Sequence, residues 1–174
     1  VPDSIFDNAF LKPVDSQSFI KHFGVKALFA RQRLRMHPAD FGNSSCMVSI
    51  PLDHVHEAEQ SLQRLLREIT FREIFSAEFK FDERDGQYKI IEVNARPWWY
   101  IEFAARCGVN VCEMAYADAI GDEVGVVDTY RIGASLIYLR HDYFACRDKL
   151  RAAKMTMSKC LLDWIRSWRP VFSW

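Results

Sequence analysis

Glu78, Glu92, Asn94 and Arg96 are the residues whose types and spacing can do chemistry together in this chain. The run Ile74 to Phe81 alternates polar and apolar residues, Asp82 to Gly86 supplies a turn, and Tyr88 to Val93 returns as a second strand. Pairing Asp82 with Tyr88 sets Glu78 opposite Glu92, with Cβ atoms roughly 5 Å apart, and puts Asn94 on the face of Glu92 and Ile90. Two carboxylates so placed repel unless a cation or a proton shares the site. Asn94 adds a neutral oxygen, and two carboxylates with an amide oxygen are the hard donors that Mg²⁺ takes beside phosphates and water. Arg96, two residues on, can meet a phosphoryl group or a substrate carboxylate. Such a rim suits phosphoryl transfer, in which cations offset charge on the moving group. The plainer reading is a solvated strand face, with Lys80 as a surface ion-pair partner for Glu78 or Glu92.

The elements that must position this rim are legible in the pattern. Residues 5 to 14 read as a strand ending at Lys12 and Pro13, with a turn at Asp15 to Ser18. Ala27 to Met36 alternates as a second strand, with Arg31, Arg33 and Arg35 on one face. Asp53 is placed to cap a helix whose apolar stripe is Val55, Ala58, Leu62, Leu65, Leu66 and Ile69. After Pro97, Trp98 to Cys107 reads as a helix stopped by Gly108. Asn110 and Glu113 have capping-box spacing before another helix that Gly121 ends, and Ile132 to Leu139 reads as a strand. From Asp142 onward the tail favours helix, with Met157, Leu161, Trp164, Ile165 and Trp168 as its apolar stripe until Pro170. The antiparallel strands and the helices between them make the expected class α+β, an antiparallel sheet packed with helices.

Of the 174 residues 49% are apolar, enough for a core, and the 23 basic side chains balance the 23 acidic ones. That balance speaks against a strongly basic nucleic-acid binder and against a disordered chain. Five cysteines, an odd number without close pairs, are expected as buried free thiols in a reducing compartment. No apolar run approaches the roughly 18 residues that would span a bilayer, and Val1 to Ser4 carry no basic stretch followed by an apolar segment, so no secretory leader is expected. A cytoplasmic protein with no nucleic-acid or membrane partner is the expectation. The five histidines lack metal spacing, and packing accounts for most of Trp98, Trp99 and Tyr100, although one ring could wall a substrate pocket. Trp164, Trp168 and Trp174 suit a tail docked on its own domain or on a partner.

The segment Phe75-Ser76-Ala77-Glu78-Phe79-Lys80, with Asp85-Gly86-Gln87-Tyr88-Lys89-Ile90-Ile91-Glu92-Val93-Asn94-Ala95-Arg96-Pro97-Trp98, resembles the C-terminal metal-binding hairpin of the ATP-grasp superfamily. The resemblance implies that Glu78, Glu92 and Asn94 bind Mg²⁺, with Mn²⁺ as a substitute, and that the metal holds ATP. It sets Arg96 against an acyl phosphate or the acceptor. Ala104 to Val111 is similar to the helix and turn behind the site in carboxylate-amine-ligase-like members. Phe10-Leu11-Lys12-Pro13-Val14-Asp15-Ser16 is similar to the strand whose lysine contacts ATP phosphates; on the residues alone, Lys12 is a cation beside a turn that meets an anion or solvent. Arg31 and Arg33 join it as ATP candidates, since an alternating arginine face can meet a triphosphate or an acceptor as readily as solvent and ion pairs.

The resemblance implies a ligase that activates a small-molecule carboxylate as an acyl phosphate for attack by an amine-type acceptor; a homo-oligomer stays open. It covers roughly residues 8 to 140, so residues 1–140 are expected as a partial ATP-grasp catalytic region and 141–174 as a helical tail packed on it. Between residues 13 and 27 the chain is too short for the usual glycine-rich lid, second lysine and adenine-reading linker, and the usual N-terminal domain is missing. Either loops or flanking parts are lacking from this sequence, or the domain is reduced and no longer turns over. Two rival functions stand beside the ligase: a non-catalytic nucleotide-binding or scaffold domain derived from that fold, and a metal-dependent phosphodiester hydrolase.

Overall fold

The computed structural model describes residues 6–13, 23–38, 42–152 and 155–167. The chain runs through β1 (Phe6–Pro13), β2 (Phe23–His37), β3 (Asn43–Ser49), α1 (His56–Glu68), β4 (Glu73–Asp82) and β5 (Gln87–Asn94). It continues through α2 (Ile101–Arg106), α3 (Val111–Ala119), β6 (Ser135–Ile137), α4 (Leu139–Arg151) and α5 (Met157–Ser167). The six strands form one antiparallel sheet in the order β5-β4-β1-β2-β3-β6, with helices packed against it, so the fold is α+β.

Strand alternation gives the sheet two apolar faces. On one, Leu28, Ala30, Phe75, Ala77 and Phe79 meet Val55, Ala58, Leu62 and Leu66 of the α1 segment. On the other, Ala27, Phe29 and Met47 meet Phe103 and Ala104 of α2 and Val111 of α3. Burying each Phe side chain contributes roughly 1.5–3 kcal/mol, and the α1 layer holds the β4–β5 hairpin from behind. The α1 stripe is narrower than its spacing predicts, because Leu65 and Ile69 are exposed. Asp53 does not cap that helix: it lies in a 3₁₀ turn, Leu52–Val55, and Val55 leads into α1 without a side-chain cap. Asn110 does cap α3, accepting from the Glu113 backbone N–H at 3.2 Å.

β3 was not expected from the pattern, since three serines interrupt its apolar residues. Those serines are buried with their hydrogen bonds made inside the protein: Ser49 Oγ donates to the Arg131 carbonyl at 2.8 Å, and Ser45 Oγ to Asp142 at 2.8 Å. The C-terminal helices also depart from expectation. Met157, Leu161 and Ile165 of α5 are exposed, and the helix docks instead through Cys160, Asp163 and Trp164. Trp168 lies outside the described residues, as does the turn expected at 15–18.

Cys146 and Cys160 form a disulfide between α4 and α5, which corrects the expectation of five free thiols; Cys46, Cys107 and Cys112 are free. Fourteen residues separate the pair, so only the packing of two helices brings them together. The cytoplasmic expectation drew on those free thiols and loses that support. Among the described residues no helix is long and apolar enough to cross a membrane.

Candidate functional site

The hairpin that carries the acidic rim closes at Gly86, whose φ of +69° is open to glycine at little steric cost. Its N–H donates to the Asp82 carbonyl at 2.8 Å, and the Asp82 carboxylate accepts from the Arg84 backbone at 3.1 Å. Asp82 pairs with Gln87, one residue short of the expected Tyr88. A β-bulge then restores the register: Phe79 faces Ile90, but Glu78 faces Glu92 and Ser76 faces Asn94, leaving Ile91 as the extra residue. The bulge lets Tyr88, Ile90 and Val93 all pack toward the α1 layer, while Ile91 is expelled to solvent at 60% exposure. Ile90 is therefore on the opposite face from Glu92 and Asn94, contrary to expectation.

Glu78, Glu92 and Asn94 share one face of the hairpin, as the register requires. Glu78 is partly buried and pairs with Arg33 at 3.2 Å. That guanidinium comes from β2, two strand positions away across the place of β1. Its Nε also donates to Ser44 Oγ at 2.8 Å, and Arg31 Nη1 donates to the same hydroxyl at 3.2 Å. Glu92 is exposed and Asn94 half-buried; neither side chain has a hydrogen bond or ion pair among the described residues. Arg96 is exposed just past β5, and its carbonyl accepts from the buried Ser76 hydroxyl at 3.4 Å, which ties the strand exit to β4.

Arg31 stands apart from its neighbours. It is 1% exposed and packed between the rings of Tyr100, at 5.1 Å, and Trp98, at 5.7 Å. Burial pulls its guanidinium down to about 9; Tyr100 and Glu78 resist the fall and Arg33 adds to it. At neutral pH it stays charged, walled off from any ligand in solution. Burial also pushes the Tyr100 phenol up to about 12, so its hydroxyl is protonated and donates to the Ser44 carbonyl at 2.7 Å. Ser44 thus joins both arginines and the aromatic wall. Sequence reasoning missed it, although the run Ser45-Cys46-Met47-Val48 beside it is a strand signal that could have drawn attention to it.

Lys12 is not brought to this rim. It faces Gly24 at the far end of β1, and Leu11 faces Glu73, whereas Phe6 faces Ala77 beside Glu78. Six residues of strand from Phe6 to Lys12 span roughly 20 Å. Among the described residues no three His, Cys, Asp or Glu side chains gather as a metal site. The two carboxylates and one amide form a smaller donor set that leaves places for phosphate oxygens and water, as Mg²⁺ coordination requires.

Part of the chain is similar to the D-aspartate ligase of Enterococcus faecium (strain Aus0004), 29% identical over 93 residues. That stretch is 53% of this chain and 21% of the ligase, so the chain spans only a small part of the relative's length. No protein-family model matches the chain.

Proposed function

We propose that this chain is part of an ATP- and Mg²⁺-dependent ligase of the ATP-grasp kind, activating a carboxylate as an acyl phosphate that an amine-type nucleophile opens. The observation that carries the reading is the hairpin register, which sets Glu78 opposite Glu92 with Asn94 on the same face. The partial similarity to a D-aspartate ligase supports the same class of reaction.

In this reading Glu78, Glu92 and Asn94 hold the metal, which when bound offsets charge on the ATP phosphates. Arg33 is the ion-pair partner of Glu78 at 3.2 Å, and its guanidinium would be free to meet a phosphate if Glu78 held a metal. Arg31 acts through Ser44 and the aromatic wall, as a positioning residue for Arg33. Arg96, exposed at the strand exit, stabilises charge on the acyl phosphate. Lys12 is given no role in this reading, its backbone standing at the other end of β1 from the rim.

The test is a titration of the full-length protein with a non-hydrolysable ATP analogue, with and without Mg²⁺. The expected result is at least tenfold tighter binding with Mg²⁺, lost in Glu92→Gln. Equal affinity under the two conditions would end the proposal.

A non-catalytic, nucleotide-binding derivative of the same fold is the second reading. Pro13 faces Phe23 across the β1–β2 ladder, so nine residues, 14–22, stand between two directly paired strands, where a lid and an adenine-reading strand would otherwise lie. Release of ADP by the full-length protein in the presence of candidate carboxylic acids separates the two: the ligase releases it and the derivative does not.

A further inference from the structure

The chain between β5 and α2 forms one wall of a cavity of about 450 Å³ whose other wall is β6 and the start of α4. This volume suits a small molecule of one or two rings. Its floor is Phe103 and Leu136, both buried. Trp99 and Tyr138 meet at a corner, their ring planes 84° apart and their centroids 5.9 Å apart, and the Tyr100 ring backs Trp99 at 3.6 Å. Despite these neighbours Trp99 is 50% exposed, leaving indole surface toward the opening. Indole surface in a concave aromatic corner favours a flat guest that stacks on one ring and meets the edge of the other.

Two charged side chains stand at the mouth. Glu102 is ion-paired with Arg106 one helical turn further along α2, so its charge is already offset. Arg140 has no ion pair or hydrogen bond among the described residues. The uncompensated charge at the opening is therefore one guanidinium, which disfavours a cationic guest in the aromatic corner and favours a carboxylate. β6 lies three strand positions beyond β1, and β4 one position to its other side. Glu78 on β4 is thus roughly 19 Å from the β6 wall, whereas the Tyr100 wall packs on Arg31 and adjoins the rim through Ser44 and Arg33.

We propose that this cavity is a binding site for a flat aromatic carboxylate, its ring on the exposed part of the Trp99 indole beside Tyr138 and its carboxylate on Arg140. The site goes beyond the ligase reading and stands without it.

Calorimetric titration of the full-length protein, without nucleotide, tests it with three probes of one shape: 2-naphthoate, 2-naphthamide and 2-naphthylmethylammonium. Naphthoate is expected to bind at least tenfold more tightly than the amide, with the ammonium weakest. Arg140→Gln should remove the advantage of naphthoate and leave amide affinity unchanged. Trp99→Ala should weaken naphthoate and amide at least tenfold; should that variant fail to fold, the exposed Arg140→Gln decides alone. Equal binding of the three probes, tightest binding of the ammonium, no binding of naphthoate at millimolar concentration, or an Arg140→Gln protein that still prefers naphthoate would each overturn the assignment.

Discussion

Arg33 and Arg35 lie two residues apart on β2, yet they belong to opposite kinds of ionic site. Arg35 is 4% exposed and grips the fully buried Asp142 with two hydrogen bonds, Nε to Oδ1 at 2.8 Å and Nη2 to Oδ2 at 2.9 Å. Asp142 also accepts from Ser45 Oγ at 2.8 Å and Trp164 Nε1 at 2.7 Å, while Arg35 reaches Asp163 at 2.6 Å. Burial works to lower the Arg35 guanidinium, but the hydrogen bonds to Asp142 and Asp163 and the nearby charges outweigh it and hold the group above its ordinary value. At Arg33 the pairing is incomplete: Glu78 has that one ion pair, and Glu92 opposite it has none among the described residues. A network in which the buried carboxylate is engaged by Arg35, Ser45 and Trp164 has no capacity left for a cation and serves to fasten α4 and α5 to the sheet. A rim whose Glu92 has no partner among the described residues keeps capacity for a cation.

The largest effect that could break this contrast is on stability. Asp142→Ala leaves Arg35 buried beside only the half-exposed end of its network, and is expected to lower unfolding free energy by about 3–5 kcal/mol, read from urea denaturation. A loss below 1 kcal/mol would mean that the closed network does not fasten the helices. Glu92→Gln, by contrast, touches an exposed side chain and should change stability by less than about 0.5 kcal/mol. In the full-length protein the same substitution should cut ligase turnover at least 100-fold, about 2.7 kcal/mol in barrier. Loss of fold and activity together in that variant would place Glu92 among the structural groups instead.

The same contrast marks how far the sequence could be read. The hairpin was legible because Phe75, Ala77, Phe79 and Phe81 alternate cleanly and Gly86 marks the turn. The facing of Glu78 and Glu92 followed from a register that was one residue off at the turn and was restored by the bulge at Ile91. The adjacent isoleucines 90 and 91 gave no sign of which would be expelled, because a period of two does not distinguish them; packing against α1 decided it. The arginine face of β2 was visible, but its division into a buried Arg31, a rim Arg33 and a clamped Arg35 was not. Their partners, Ser44, Trp98, Tyr100, Asp142 and Asp163, lie between 11 and 128 residues away along the chain, and such distances leave no local pattern. Lys12 shows the reverse limit: its local motif was clear, but a local motif does not say which end of β1 its backbone occupies relative to the rim.

The smallest effect sharpens the contrast most. Arg33→Gln removes the cation beside Glu78 and leaves two carboxylates facing each other across the hairpin, so it should cost about 1 kcal/mol at low ionic strength. If the rim has room for a divalent ion, millimolar Mg²⁺ takes over the role of the lost guanidinium and returns most of that stability. The unsubstituted protein, whose Glu78 is already paired, should gain less from the same Mg²⁺. Thermal unfolding of both proteins in MgCl₂, and in NaCl of matched ionic strength, reads the difference. A rim that only braces the fold would respond to the two salts alike, because screening softens carboxylate repulsion without a bound ion. A selective Mg²⁺ response confined to Arg33→Gln would instead show Arg33 occupying, in the unliganded protein, the position that the metal takes.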